Sequence, residues 1–133
     1  MKKIARVMVL LLSLTLLWGC GAILIGGIGA GLGVGAYRYI EGSVARVYPL
    51  AYNSAWDVTN KALSNLYMSV SNSINEGVKG TITAVQKDGT KIEIKLEDKG
   101  QNVTDISVRI GFWGSRKDAE RIHEEIKSAA GLK

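Results

Sequence analysis

Two-residue alternation across residues 80–110 constrains this chain more than any other feature. Residues 80–86 and 91–97 flank Lys87-Asp88-Gly89-Thr90. Asp-Gly between alternating segments signals a hairpin, because glycine supplies the positive φ that the turn requires. Ile92, Ile94 and Leu96 point one way and Lys91, Glu93, Lys95 and Glu97 the other. Residues 98–102 read as a second turn, and then Thr104, Ile106, Val108 and Ile110 alternate with Asp105, Ser107 and Arg109. A period of two with one apolar side predicts an antiparallel sheet that is buried on one face and wet on the other. Such a sheet needs a second layer.

Two helical patterns can supply that layer. Tyr52, Ala55, Trp56, Thr59, Ala62, Leu63 and Leu66 recur at spacings of three and four, which predicts an amphipathic helix capped by Asn53, with Trp56 as a large part of the core. After Gly111-Phe112-Trp113-Gly114, Ser115 and Asp118 have the spacing of a capping box, and the helix that follows buries Ala119, Ile122, Ile126 and Ala129. Upstream, residues 43–48 set Val44, Arg46 and Tyr48 against Ala45 and Val47, a short strand ended by Pro49. Met68 and Val70 continue as a strand, while residues 71–77 are polar and predict a turn or an irregular edge. The expected fold is an α+β two-layer sandwich of order β-α-β-β-β-β-α. Its antiparallel sheet has four to five strands, and both helices lie on one face.

The first 36 residues do not fit such a domain. Met1 to Arg6 is a short basic segment, and residues 7–17 are an uncharged run dominated by Leu and Val, the pattern of a secretory leader. The run closes on Leu17-Trp18-Gly19-Cys20. These residues resemble the bacterial lipobox, with Leu at −3, a small residue at −1 and Cys at +1. That resemblance implies signal-peptidase recognition at Leu17, Trp18 and Gly19. It also implies diacylglycerylation of the Cys20 thiol and acylation of the new α-amino group. Gly21 stands where Asp marks inner-membrane retention in enteric bacteria, which implies the outer membrane, facing the periplasm. An uncleaved signal anchor fits less well, because residues 7–36 make about 30 uncharged positions against the ~20 that span a bilayer.

Residues 21–36 carry glycine at 21, 26, 27, 29, 31, 33 and 35 among Ala, Ile, Leu and Val. On a helix Gly27, Gly31 and Gly35 form a small-residue ridge of the kind that lets helices approach closely in lipid. Each glycine costs a helix in water about 1 kcal/mol relative to Ala. A tether at the membrane surface, a self-associating glycine zipper and packing against the domain all remain open. The expected division is a signal peptide over residues 1–19, the anchor and tether over 20–41, and a periplasmic domain over 42–133.

Charge and composition narrow the function. The chain has 133 residues and a formal charge of +5, but Lys2, Lys3 and Arg6 precede the leader, so a chain cut before Cys20 carries 14 − 12 = +2. Nucleic-acid binding thereby loses its support. A single Cys allows no internal disulfide, and His123 is the only histidine, expected at the surface. Asp105 and Arg109 lie on one face of a strand and are expected to form a solvated pair. Residues 27–33 (GIGAGLG) touch the dinucleotide fingerprint without the surrounding βαβ unit that gives it meaning. No nucleophile elbow or metal set is visible, and no catalytic residue, metal or cofactor is expected. Phe112 and Trp113, in a loop flanked by glycines, either tuck beneath the last helix or form a contact loop.

Tyr37-Arg38-Tyr39 with Gly42, Ala55-Trp56, Ala62-Leu63, Gly80-Thr81-Ile82, Asp88-Gly89, Val108-Arg109-Ile110-Gly111 and Gly114 together resemble the small bacterial lipoproteins grouped as domain of unknown function 3568. The resemblance covers nearly the whole chain after Cys20. It implies a lipid-anchored envelope domain and brings no established activity. The expected function is a non-catalytic envelope lipoprotein, held to the membrane by its N-terminal lipid and working through self-association or an envelope protein partner. The alternative is a membrane-inserting glycine-zipper protein with a regulatory domain. No nucleic-acid or small-molecule ligand is indicated.

Overall fold

A computed structural model describes residues 1–18 and 34–132. Helix α1 (Lys2–Trp18) covers the basic N-terminal segment and the apolar run after it, and no helix among the described residues is long and apolar enough to cross a membrane. The folded unit consists of β1 (Arg38–Ile40), β2 (Ser43–Tyr48), α2 (Tyr52–Asn65), β3 (Ser69–Asn75), β4 (Lys79–Val85), β5 (Lys91–Gly100), β6 (Val103–Ile110) and α3 (Arg116–Ala129). All six strands form one sheet in the order β1-β2-β6-β5-β4-β3, and every neighbouring pair is antiparallel.

Strands β3 to β6 form a simple meander, while β2 pairs with β6 at its far side. Helix α2 therefore has to cross the apolar face to link β2 with β3 at the opposite edge. Helix α3 follows β6 and packs against α2, β6 and β2. The core lies between the layers. Ile82, Ile92, Ile94, Leu96, Ile106 and Val108 from the sheet meet Ala55, Ala62 and Leu63 of α2 and Ala119, Ile122 and Ile126 of α3. Each fully buried aliphatic side chain is worth about 1.5–3 kcal/mol in water-to-core transfer.

The alternation read across residues 80–110 holds. Gly89 turns the β4–β5 hairpin at φ +85°, and Asp88 accepts a hydrogen bond from the Thr90 amide. The second turn is tighter than expected. Strand β5 runs on to Gly100 through an irregularity near Lys99, which leaves Gln101 and Asn102 to turn with φ near +55° at both positions. Two positive φ angles match the right-handed twist of the flanking strands.

The sheet has six strands, where four to five were expected. The additional strand is β1, which begins upstream of residue 42 and pairs with β2. Of the turn or irregular edge expected over residues 71–77, the structure has the edge: most of the stretch belongs to edge strand β3, which pairs with β4 across a bulge at Ser71. Its side chains are exposed throughout, so backbone pairing and not hydrophobic burial defines it.

The N-cap of helix α2 lies two residues earlier than expected, at Ala51, whose methyl side chain offers no acceptor for the first-turn amides. The Leu50 carbonyl just before it accepts from the Thr104 hydroxyl at 2.8 Å. Asn53 lies inside the first turn and does not cap. Trp56 is only partly buried, and Tyr52 takes the deeper position. Both lie over Gly80, where an added Cβ would come within 2.6 Å of the Trp56 ring and of the Tyr52 hydroxyl. Ser115 does cap α3. The carboxylate of Asp118 reaches back to the Ser115 hydroxyl at 2.7 Å, while the Ser115 amide bonds to Ile110.

Candidate functional site

The chemistry-bearing side chains gather where the chain enters the sheet from the Gly-rich tract. The Gly35 amide donates to the Val47 carbonyl at 2.9 Å, and the Gly35 carbonyl accepts from Arg46 Nε at 2.7 Å. Arg46 lies on the same side of β2 as Val44 and Tyr48, so its guanidinium points toward the helices, where a cation needs a partner. Glu124 of α3 is that partner, at 2.9 Å from Nη1. The same carboxylate oxygen accepts from the Tyr37 hydroxyl at 2.6 Å, and the Arg46 guanidinium lies 4.4 Å from the Tyr37 ring centre.

These contacts set the protonation states. Burial, followed by the bond to Glu124, holds the Tyr37 phenol well above its usual range, so it stays a donor. The bond from Tyr37, then Arg46, holds the Glu124 carboxyl below its usual range, so it stays an acceptor. Tyr39 reaches Glu120, one turn earlier on α3, and its ring lies under Arg116 at 3.9 Å. On the other face of the sheet Arg38 pairs with Asp105.

Behind this cluster lies His123, expected at the surface and in fact fully buried. Its Nε2 is 2.7 Å from the Val44 carbonyl, and its Nδ1 is 2.7 Å from the Tyr48 hydroxyl. A carbonyl can only accept, so Nε2 carries the hydrogen and Tyr48 donates to Nδ1. Burial, more than the nearby Arg46, pushes the imidazole down to about 4. Both nitrogens are occupied by structural partners, and the ring crosslinks α3 to β2 as a neutral group.

Asp105 and Arg109 do not pair. Four residues along one strand separate two side chains by about 13 Å, beyond ion-pair reach. Arg109 instead donates to the carbonyls of Phe112, at 2.8 Å, and Glu41. It thereby fixes the loop after β6 against the β1–β2 turn. Gly42 and Gly114 meet there, and a Cβ on Gly114 would overlap the Gly42 carbonyl. With the loop backbone held so close, the rings of Phe112 and Trp113 turn outward, 78% and 88% exposed, packed edge to face at 5.0 Å between centres. They do not tuck beneath the helix.

Of the other sequence-derived site residues, Leu17 and Trp18 end helix α1, and Gly35 is buried at the sheet edge. Gly19, Cys20, Gly27 and Gly31 lie outside the described residues. Among the described residues no three His, Cys, Asp or Glu side chains are grouped as metal ligands.

Sequence reasoning missed Arg46, Tyr37 and Glu124, although an Arg on the core side of an alternating strand is itself a signal that a buried partner exists. It also missed His123. Its position with Ala119, Ile122 and Ile126 is a helical stripe, and that spacing could have revealed its burial.

The model of one protein family, described as proteins of unknown function (DUF3568), matches residues 3–129. The chain belongs to that family. The match runs from the basic N-terminal segment to the end of α3, so the apolar N-terminal run, the Gly-rich tract and the sheet belong to one family pattern. No curated protein matches the chain.

Proposed function

We propose that this DUF3568 chain is a non-catalytic lipoprotein of the bacterial envelope, anchored through Cys20 on an outer-membrane leaflet facing the periplasm and acting through protein or envelope contacts. The observation that carries the reading is the Leu17-Trp18-Gly19-Cys20 sequence at the end of a basic-then-apolar leader. The attachment at Gly35 supports it. A chain emerging from a membrane is caught at once by Val47, Arg46 and the Tyr37–Glu124 pair, which fixes where the tether meets the domain. The engagement of both His123 nitrogens supports a structural and not a catalytic imidazole.

The glycine-zipper alternative needs Gly35 free as the last member of the ridge, and Gly35 is hydrogen-bonded at the sheet edge. On the tether reading, Gly31→Ile leaves cross-linking of the membrane-bound protein unchanged. Loss of a cross-linked dimer in that variant would favour the zipper. The anchor itself is tested by metabolic labelling with a fatty acid. Cys20→Ala is expected to abolish the label and release or misprocess the chain, and a Cys20→Ala chain that still labels and fractionates with the envelope would overturn the reading.

A further inference from the structure

We infer that the Phe112–Trp113 loop is a second membrane contact that takes anionic phospholipid headgroups. Two adjacent aromatic rings stand out from the fold with their backbone fixed by Arg109 and by the Gly42–Gly114 contact. Trp113 also lines a shallow cleft of about 210 Å³ with Tyr39 and Arg116. Aromatic residues whose backbone is held but whose rings face solvent suit the headgroup region of a bilayer, where one part of the ring is apolar and the other wet.

The charge around the loop favours a lipid surface over an apolar protein partner. Arg109, Arg116, Lys91 and Lys117 all lie within a few residues of the rings or pack beside them, and none forms an ion pair among the described residues. The acids of the same region are Glu41, Asp118, which accepts from the Ser115 hydroxyl, Glu120, which accepts from Tyr39, and Glu93, which is paired with Lys95. With Lys95 counted beside Lys91, Arg109, Arg116 and Lys117, five cations face four carboxylates, and the balance where the rings project is positive.

The arrangement rests on the lipid-anchored reading for its strength. The loop lies at the Ser43 end of β2 and the tether root at Val47, about 13 Å away along the strand. A weak contact suffices when the anchor already holds the domain at high local concentration beside the bilayer. Two attachments then fix which side of the domain faces the lipid.

The test uses the mature protein acylated at Cys20, in vesicles containing phosphatidylglycerol, with acyl chains brominated as quenchers. The difference in fluorescence quenching between the protein and its Trp113→Phe variant isolates Trp113 from Trp56, the other tryptophan left once the chain is cut before Cys20. Strong quenching of Trp113 in anionic vesicles, and little in pure phosphatidylcholine, is expected. Arg116→Gln with Lys117→Gln should lower the docked-to-undocked ratio by roughly tenfold or more, given about 1 kcal/mol per cation at an anionic surface. Flotation with the vesicles while Trp113 stays unquenched overturns the loop proposal and leaves the anchor standing. Failure to float at all overturns both.

Discussion

His123 exchanges protons with the solvent only at a cost to the fold, because Nε2–H is committed to Val44 and Nδ1 to Tyr48. Its folded pKa of about 4 lies below the unfolded value of 6.5, so the unfolded chain binds the extra proton first. Stability is therefore complete above pH 6.5 and falls as the pH drops toward 4. At 1.36 kcal/mol per unit, urea unfolding at pH 5 should show a chain roughly 2 kcal/mol less stable than at pH 7. Glu124, Asp105, Arg46 and Tyr37 surround the ring, and the bond from Tyr37 holds the Glu124 carboxyl below its usual range. His123→Gln should be less stable at pH 7 and nearly flat between pH 7 and 5; an unchanged slope in that variant would assign the effect elsewhere. At Gly80 the same scale of reasoning applies to volume. Gly80→Ala forces the Trp56 and Tyr52 rings aside, and thermal unfolding should register a loss of about 1–3 kcal/mol.

Just past Leu66, the C-cap of helix α2, Tyr67 is held at φ +56° while the Leu66, Tyr67 and Met68 amides bond back to Ala62, Ser64 and Leu63. A left-handed residue after a helix is normally glycine, and Tyr67 is exposed, with Lys87 Nζ 5.1 Å from its ring centre. Tyr67→Gly should accordingly raise the unfolding free energy by about 0.5–1 kcal/mol, measured by denaturant titration. The elements that were legible beforehand are those whose own residues carry a period or a cap. The β4–β5 hairpin showed through Asp88-Gly89 and through Ile92, Ile94 and Leu96. Helix α3 showed through Ser115 and Asp118. Strand β1 carries no such mark: its three residues pair across a tight turn with Ala45, Val44 and Ser43, and the side chains that anchor it, Glu120 for Tyr39 and Asp105 for Arg38, lie far along the chain. Strand β3 is polar and exposed, so a hydropathy pattern had nothing to register there. The outward turn of Phe112 and Trp113 follows from Gly42 meeting Gly114, a contact between positions 72 residues apart that local sequence does not encode.

At the scale of the molecule, the sheet joins a meander that is legible from its alternation to a root that only the tertiary structure reveals. Arg46 is the hinge of that root. Arg46→Ala should leave global unfolding nearly where it was, since the core cluster does not include it, but free the segment ahead of β2. Hydrogen exchange should then show the Gly35 amide opening at least tenfold faster, while amides of Ile94 and Val108 keep their protection; an unchanged Gly35 amide would show that Val47 alone holds it. The order of the bonds also has a mechanical meaning. Pull applied at Val34 and directed away from the sheet edge meets Gly35, then Tyr37, then the three short pairs of β1, one after another. Such a line peels at low force, whereas β2 behind it is paired with β6 over six positions. The first hairpin is thus a yielding link that can release residues 35–42, roughly 3 nm of slack, before strain reaches the core, and a force-extension trace would show it as a small early step.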